Sequence, residues 1–178
     1  SLDFARAEEQ TLFLPLSYSF GLLGQLLPAL ASGVTTRFLP DFLAVKSLLE
    51  SAPGDIRGMW SGVASHWSAI LRIAEGRGPF PGVTHAISAG ARLDPATKQG
   101  LRALFPNAIL YNNYGQTEAS PRILSVSSDD PRFFEDTTGY AVDRIEVRLS
   151  EEGELEVRGP QVMLGYLGDP DGTRSRIG

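Results

Sequence analysis

Short apolar runs alternate with stretches of helical periodicity from Leu12 to about Ile123, and this alternation constrains the architecture more than any other property of the chain. A strand that feeds a helix and then another strand of the same kind calls for a largely parallel sheet covered by helices. Thr11 to Leu16 reads as a short extended run, and Leu22 to Ala31, apolar nearly all round, as a buried helix. Val34 to Leu39 reads as a strand stopped by Pro40, after which Asp41 caps a helix bearing Phe42, Val45, Leu48 and Leu49. A short strand at Gly58 to Trp60 leads through Ser61 and Gly62 to a helix whose face carries Val63, Trp67, Ile70, Leu71 and Ala74. Val83 to Ile87 is the next strand. Asp94-Pro95 then pairs a capping carboxylate with a proline in the first helical position, starting a helix that runs to about Leu104. Ala108 to Leu110 reads as a buried strand.

The pattern changes after Pro121. Ile145, Val147 and Leu149, then Leu155 and Val157, alternate with charged residues across the Ser150 to Gly153 turn, which predicts an antiparallel ribbon with one wet face. The expected fold class is therefore α/β, a largely parallel sheet followed by an antiparallel ribbon. The expected division is residues 1–128 and 129–178, with a loose tail from Gly165. At 178 residues, 42% hydrophobic and 21% charged, the chain can bury a real core. A formal net charge of -5 gives no support to nucleic-acid binding. The absence of cysteine excludes disulfides and thiolate metal sites. No stretch reads as a membrane span or a secretory leader, so the expected setting is the cytoplasm. His66 and His85 form neither a triad nor a metal site with their sequence neighbours.

The segment with chemistry in it is Tyr111-Asn112-Asn113-Tyr114-Gly115-Gln116-Thr117-Glu118, expected where the last strand of the series passes into a loop. Open α/β sheets bind ligands at that end. Within a few residues it offers an amide, a flat ring, a glycine, a hydroxyl and a carboxylate. Asn112 can give both a donor and an acceptor to a base edge. Glu118 is a hard oxygen ligand suited to Mg²⁺ shared with phosphate oxygens, and Gly115 lets the backbone approach a ligand closely. An Asn- and Gly-rich turn with no ligand is the plainer reading of the same spacing.

The order Asn112-x-Tyr114-Gly115-x-Thr117-Glu118 resembles the adenine- and phosphate-binding signature of the AMP-forming ligases, a superfamily of acyl-CoA synthetases, peptide-synthetase adenylation domains and luciferases. The resemblance implies that Asn112 bonds the adenine edge, Tyr114 stacks on its face, Thr117 contacts phosphate and Glu118 helps hold Mg²⁺. Three other segments resemble the family in the same order. Leu14-Pro15-Leu16-Ser17-Tyr18-Ser19-Phe20-Gly21 is similar to the part of the acyl pocket that usually carries a histidine where Tyr18 stands; packed aromatics at a strand end are the alternative. Ser88-Ala89-Gly90-Ala91-Arg92-Leu93 is similar to the segment whose backbone edges the adenine and acyl sites, with Arg92 either a surface residue or a contact to an acidic group. Gly153 to Pro160, with Met163, Gly165 and Tyr166 behind it, resembles a structural ribbon of the family, whose subdomain is β-barrel-like. Trp60, Ser61 and Gly62 are expected at the acyl pocket, and Trp67 in the core.

What the resemblance implies is activation of a carboxylic acid by ATP and Mg²⁺ to an acyl-adenylate, then transfer to a thiol of coenzyme A or of a phosphopantetheinyl carrier protein. The family's phosphate loop, its Thr-Gly-Asp motif and its catalytic lysine have no match in these residues. The expectation is thus an internal fragment, inert by itself, of an active parent. A nucleotide-binding module without catalysis is the competing reading. An unrelated nucleotide-binding α/β domain ranks last, because no Gly-x-Gly-x-x-Gly turn is present.

Overall fold

The computed structural model describes residues 7–51 and 53–177; the first six residues of the expected first domain lie outside them. A seven-stranded sheet, ordered β2-β1-β3-β4-β5-β6-β7, forms the body, and a two-stranded sheet, β8-β9, stands apart from it. The strands are β1 (Glu9–Leu12), β2 (Thr35–Phe38), β3 (Gly58–Gly62), β4 (Val83–Ser88), β5 (Ile109–Gln116), β6 (Ser120–Ser127), β7 (Tyr140–Ala141), β8 (Glu146–Leu149) and β9 (Leu155–Arg158). From β2 to β5 every pairing is parallel, whereas β6 and β7 run antiparallel. The helices are α1 (Ser19–Gly21), a π-helical turn (Leu22–Leu26), α2 (Leu27–Ser32), α3 (Phe42–Ser51), α4 (Ala64–Ile73), α5 (Pro95–Leu104) and α6 (Pro170–Arg176).

Strand alternation splits the core in two. Trp60, Ala86 and Leu110 stand side by side in register and join Val45, Leu49, Trp67, Ile70 and Leu101 beneath α3, α4 and α5. Their neighbours Met59, Ile87 and Tyr111 face the other way, against Ala29 of α2 and Phe20. Gly62 lets β3 lie close to α4, since a Cβ there would sit 3.3 Å from the Trp67 ring. The start of α5 is as the Asp94-Pro95 signal predicts: Asp94 Oδ1 accepts from Thr97 N at 2.9 Å and Oδ2 from Thr97 Oγ1 at 2.6 Å.

Three expectations change. The apolar segment around Leu22–Ala31 is helical but not buried, with Leu23 47%, Leu27 47% and Leu30 64% exposed. Its buried face is Gly21, Gly24, Gln25 and Ala29. Small residues are needed there because the backbone lies hard against the sheet: a Cβ on Gly24 would be 3.3 Å from the Pro121 Cβ. That contact turns the leucines outward. Next, the Tyr111 to Gln116 stretch is not a loop but a continuation of β5, paired with the unforeseen β6. Finally, the tail is ordered into α6 by Asp169, whose Oδ1 accepts from Gly172 N at 2.8 Å. No helix among the described residues is long and apolar enough to cross a membrane.

Candidate functional site

Asn112 is 1% exposed and lies midway along β5, in register with Ser88 at the carboxyl end of β4. Its Nδ2 donates to the Thr137 carbonyl at 2.9 Å, while its Oδ1 has no partner. A buried polar atom without a bond is uncommon and costly. Asn112 also contributes to the lining of a hollow of about 450 Å³, together with Arg92, Leu93, Asp136, Thr137 and Thr138. That size lies within the roughly 300–1,000 Å³ of small-molecule sites. Tyr114 is two residues further along, on the same face of β5, partly buried against Ala119, Ile123 and Ile145. Gly115 is glycine for a backbone reason, because a Cβ there would collide with the Pro121 carbonyl.

The far wall of the hollow is a clasp. Arg92 grips Asp136 through Nε to Oδ1 at 2.9 Å and Nη2 to Oδ2 at 2.7 Å. Each holds the other charged, which raises the Arg92 pKa and lowers that of Asp136. Both side chains are more than half exposed, so the pair adds little stability. Arg92 is thus both a surface residue and a partner of an acid. Lys98 lies beneath, fully buried, its Nζ donating to the Glu135 carbonyl at 2.6 Å and the Thr137 carbonyl at 3.2 Å, and 5.2 Å from the Phe133 ring centre. Burial pulls its pKa down. From the sequence Lys98 is only a lysine outside the family's catalytic context, and its burial was not foreseen. The clue was its place three residues before Leu101 on α5, on the side that meets the core.

Thr117 and Glu118 follow in a short 3₁₀ turn (Thr117–Ala119). Thr117 Oγ1 lies 3.4 Å from Ser19 Oγ, which brings the Tyr18 to Gly21 segment alongside the motif. Glu118 Oε1 accepts from Tyr166 Oη at 2.6 Å, and its carbonyl accepts from Met163 N at 2.7 Å. The Tyr166 bond holds the Glu118 carboxyl below its ordinary value, so it is ionised at neutral pH. An ionised oxygen ligand fits Mg²⁺. Among the described residues no group of three or more His, Cys, Asp or Glu could complete a cation shell, so phosphate oxygens would have to supply the rest.

The other expected positions divide. Gly90, at φ +82°, and Ala91 are exposed just before Arg92 on the rim of the hollow. Tyr18 is 66% exposed, Phe20 packs on the Met59 and Ile87 side, and Gly21 is pressed against the Pro15 carbonyl. Ser61 shares that sheet face with Phe20, and Gly62 lies on the opposite one. Trp60 does not reach a pocket: it is fully buried in the helix-covered core and its Nε1 donates to the Arg57 carbonyl at 3.0 Å. Adjacent strand residues face opposite ways, so Trp60 and Ser61 cannot line one cavity.

The chain is an α/β protein whose mostly parallel sheet carries an amide, a ring, a hydroxyl and a carboxylate along β5 and the turn after it. The chain belongs to the AMP-binding enzyme family, whose pattern matches residues 2–167. It is 32% identical, over 96% of its length, to the D-alanine--D-alanyl carrier protein ligase of Lacticaseibacillus rhamnosus, and covers 37% of that protein. It is 37% identical, over 52% of its length, to the 3-[(3aS,4S,7aS)-7a-methyl-1,5-dioxo-octahydro-1H-inden-4-yl]propanoyl:CoA ligase of Rhodococcus jostii strain RHA1, covering 18% of it. Among solved structures, VinN with L-aspartate superposes at a TM-score of 0.74 with 30% identity, over 95% of this chain and 44% of VinN. The chain thus spans little more than a third of the first of these relatives.

Proposed function

We propose that this chain carries the adenine-binding strand and part of the acid pocket of an AMP-forming acid–thiol ligase. Such an enzyme joins a carboxylic acid to ATP and passes the acyl group from the adenylate to coenzyme A or a carrier-protein thiol. The observation that carries the reading is the unpaired Oδ1 of Asn112, a residue that lines the hollow, with Tyr114 on the same strand face. An amide oxygen accepts from the exocyclic amine of adenine, the donor it lacks in this structure. Tyr114 offers its ring to the base, and Gly90 and Ala91 are small enough to admit a planar ligand against the main chain. Thr117 offers a hydroxyl to phosphate, and Glu118 an ionised oxygen to Mg²⁺. When bound, Mg²⁺ neutralises phosphate charge. Tyr18, Phe20, Gly21 and Ser61 border the acid, Gly62 sets the spacing of β3 from α4, and Trp60 acts from the core.

The acid needs no general base from these residues, since a carboxylate is already a nucleophile. It attacks the α-phosphorus and pyrophosphate leaves, with positioning supplying much of the rate. Both acceptors are supported by the names of the relatives, a carrier-protein ligase and a CoA ligase. We read the phosphate loop and catalytic lysine as belonging to other parts of a longer polypeptide, and β8-β9 as the opening of a second, β-barrel-like subdomain joined through residues 129–138.

Calorimetry with AMP and ATP–pyrophosphate exchange test this. The chain should bind AMP, Asn112→Ala should weaken binding about tenfold or more, and exchange should stay at background unless the longer polypeptide is used. Equal AMP affinity in the wild type and Asn112→Ala would overturn the assignment of the base site. Rapid exchange by the 178-residue chain alone would overturn the assignment of the missing groups.

A further inference from the structure

The segment from Met163 to Thr173 lies outside the motif but is fastened to its carboxylate. Met163 N donates to the Glu118 carbonyl at 2.7 Å, and three residues later Tyr166 Oη donates to Glu118 Oε1 at 2.6 Å. One bond takes the backbone of Glu118 and the other its side chain. Among the described residues no bond is made to Glu118 Oε2.

Tyr166 is itself held in place. Its N donates to Thr173 Oγ1 at 2.9 Å, and that hydroxyl donates to the Asp169 carbonyl at 2.8 Å. The Tyr166 carbonyl accepts from Asp169 N at 3.3 Å, and Asp169 Oδ1 starts α6 by accepting from Gly172 N at 2.8 Å. Gly165 permits this close turn, because at φ +150° a Cβ would stand 2.8 Å from Thr173 Cγ2. Apolar burial does not shape the strap: Leu164 and Leu167, on either side of Tyr166, are fully exposed. Its hydrogen bonds do, and they end on Glu118.

We propose that Tyr166 is a positioning residue for the divalent cation: its hydroxyl fixes Oε1 of Glu118 in one orientation and leaves Oε2 as the oxygen for the metal. Thr173, through the Tyr166 backbone, sets where that hydroxyl stands. This rests on the reading of the chain as part of an ATP-using ligase, in which Glu118 faces Mg²⁺. The physical reason is the strict geometry of the ion. Mg²⁺ demands ligands near ideal octahedral positions, and it takes only one or two from protein carboxylates. A glutamate on a half-exposed turn would lose rotamer freedom on meeting it. A carboxylate is rigid and planar, so a bond to one oxygen restricts the other. Hydrogen-bond partners of ligating groups are typically worth 10–100-fold in metal affinity.

The test compares calorimetric affinities of the chain for AMP, for ATP in EDTA and for Mg²⁺–ATP. The ratio of the last two is the contribution of the cation. Tyr166→Phe keeps the ring, should leave the AMP affinity in place and should lower that ratio about tenfold. Glu118→Gln should lower it at least as far, and Tyr166→Phe added to Glu118→Gln should change it no further. Thr173→Val should lower it several-fold, whereas Thr173→Ser, which keeps the hydroxyl, should not. Because coupling is reciprocal, Mg²⁺–ATP should slow amide hydrogen exchange at residues 163–169 more than ATP in EDTA does. A tyrosine that merely braces the tail would alter exchange there but not the ratio. An unchanged ratio in Tyr166→Phe, or an effect that adds fully to Glu118→Gln, overturns the proposal. If Tyr166→Phe fails to fold, the Thr173→Val and Thr173→Ser pair decides. AMP binding with a ratio near one in the wild type defeats the cation role of Glu118 and of Tyr166; no AMP binding defeats the ligase reading beneath them.

Discussion

Single residues in this chain show where local geometry is set by one side chain. Asp94 closes the first turn of α5 with two bonds to Thr97, and those bonds hold its pKa below 3.8. Asp94→Ala should cost about 1 kcal/mol in urea unfolding. Because the folded-state value is the depressed one, the stabilisation is complete above pH 3.8 and disappears as pH falls through the lower folded value. The variant should therefore lose less stability than the wild type on acidification. Ser120, directly after the 3₁₀ turn, has φ 97° and ψ 146°, a region that favours glycine. Its hydroxyl accepts only a 3.3 Å bond from Arg122 N in return. Ser120→Gly should raise the unfolding free energy by about 1 kcal/mol; a fall would mean that the hydroxyl outweighs the strain.

At the level of elements, legibility followed the kind of signal. Helix α5 was readable to the residue because Asp94-Pro95 specifies its own start without help from the rest of the fold. Asp169-Pro170 is the same signal, and α6 obeys it; the Gly and Ser content of the tail hid it. β3 and β4 were readable because nearly every residue in them is buried, whereas β2, largely exposed, was marked by the proline that stops it. β6 was not readable: Ser120 to Ser127 is rich in serine, and its place is fixed by pairing with β5, a contact that local sequence does not encode. The leucine-rich helix was misread for a related reason. Composition reports how apolar a helix is, but close approach to the sheet decides which side is buried, and here Gly21, Gly24 and Ala29 win over the leucines. In the candidate site, the grouping of Asn112, Tyr114, Thr117 and Glu118 in one short segment was legible. The Tyr166 bond to Glu118 was not, because it spans 48 positions.

Across the whole molecule, Lys98 ties three distant parts together. It stands on α5, bonds the carbonyls of Glu135 and Thr137, and so holds the segment to which Asn112 of β5 also bonds. Lys98→Met keeps the volume but removes both donations, and should cost about 1–3 kcal/mol. It should also speed amide hydrogen exchange at residues 135–138 and weaken AMP several-fold, while the exposed Lys46→Met changes neither. Loss of stability with unaltered exchange at 135–138 would place the effect elsewhere. The position of β5 has its own consequence. It is flanked on both edges, by β4 and by β6, and is clamped by ladders of opposite polarity. A strand held on both sides cannot rearrange around a visitor. On the function proposed above, the backbone that presents Asn112 and Tyr114 is set in place before a nucleotide arrives, and little ordering entropy remains to be lost on association.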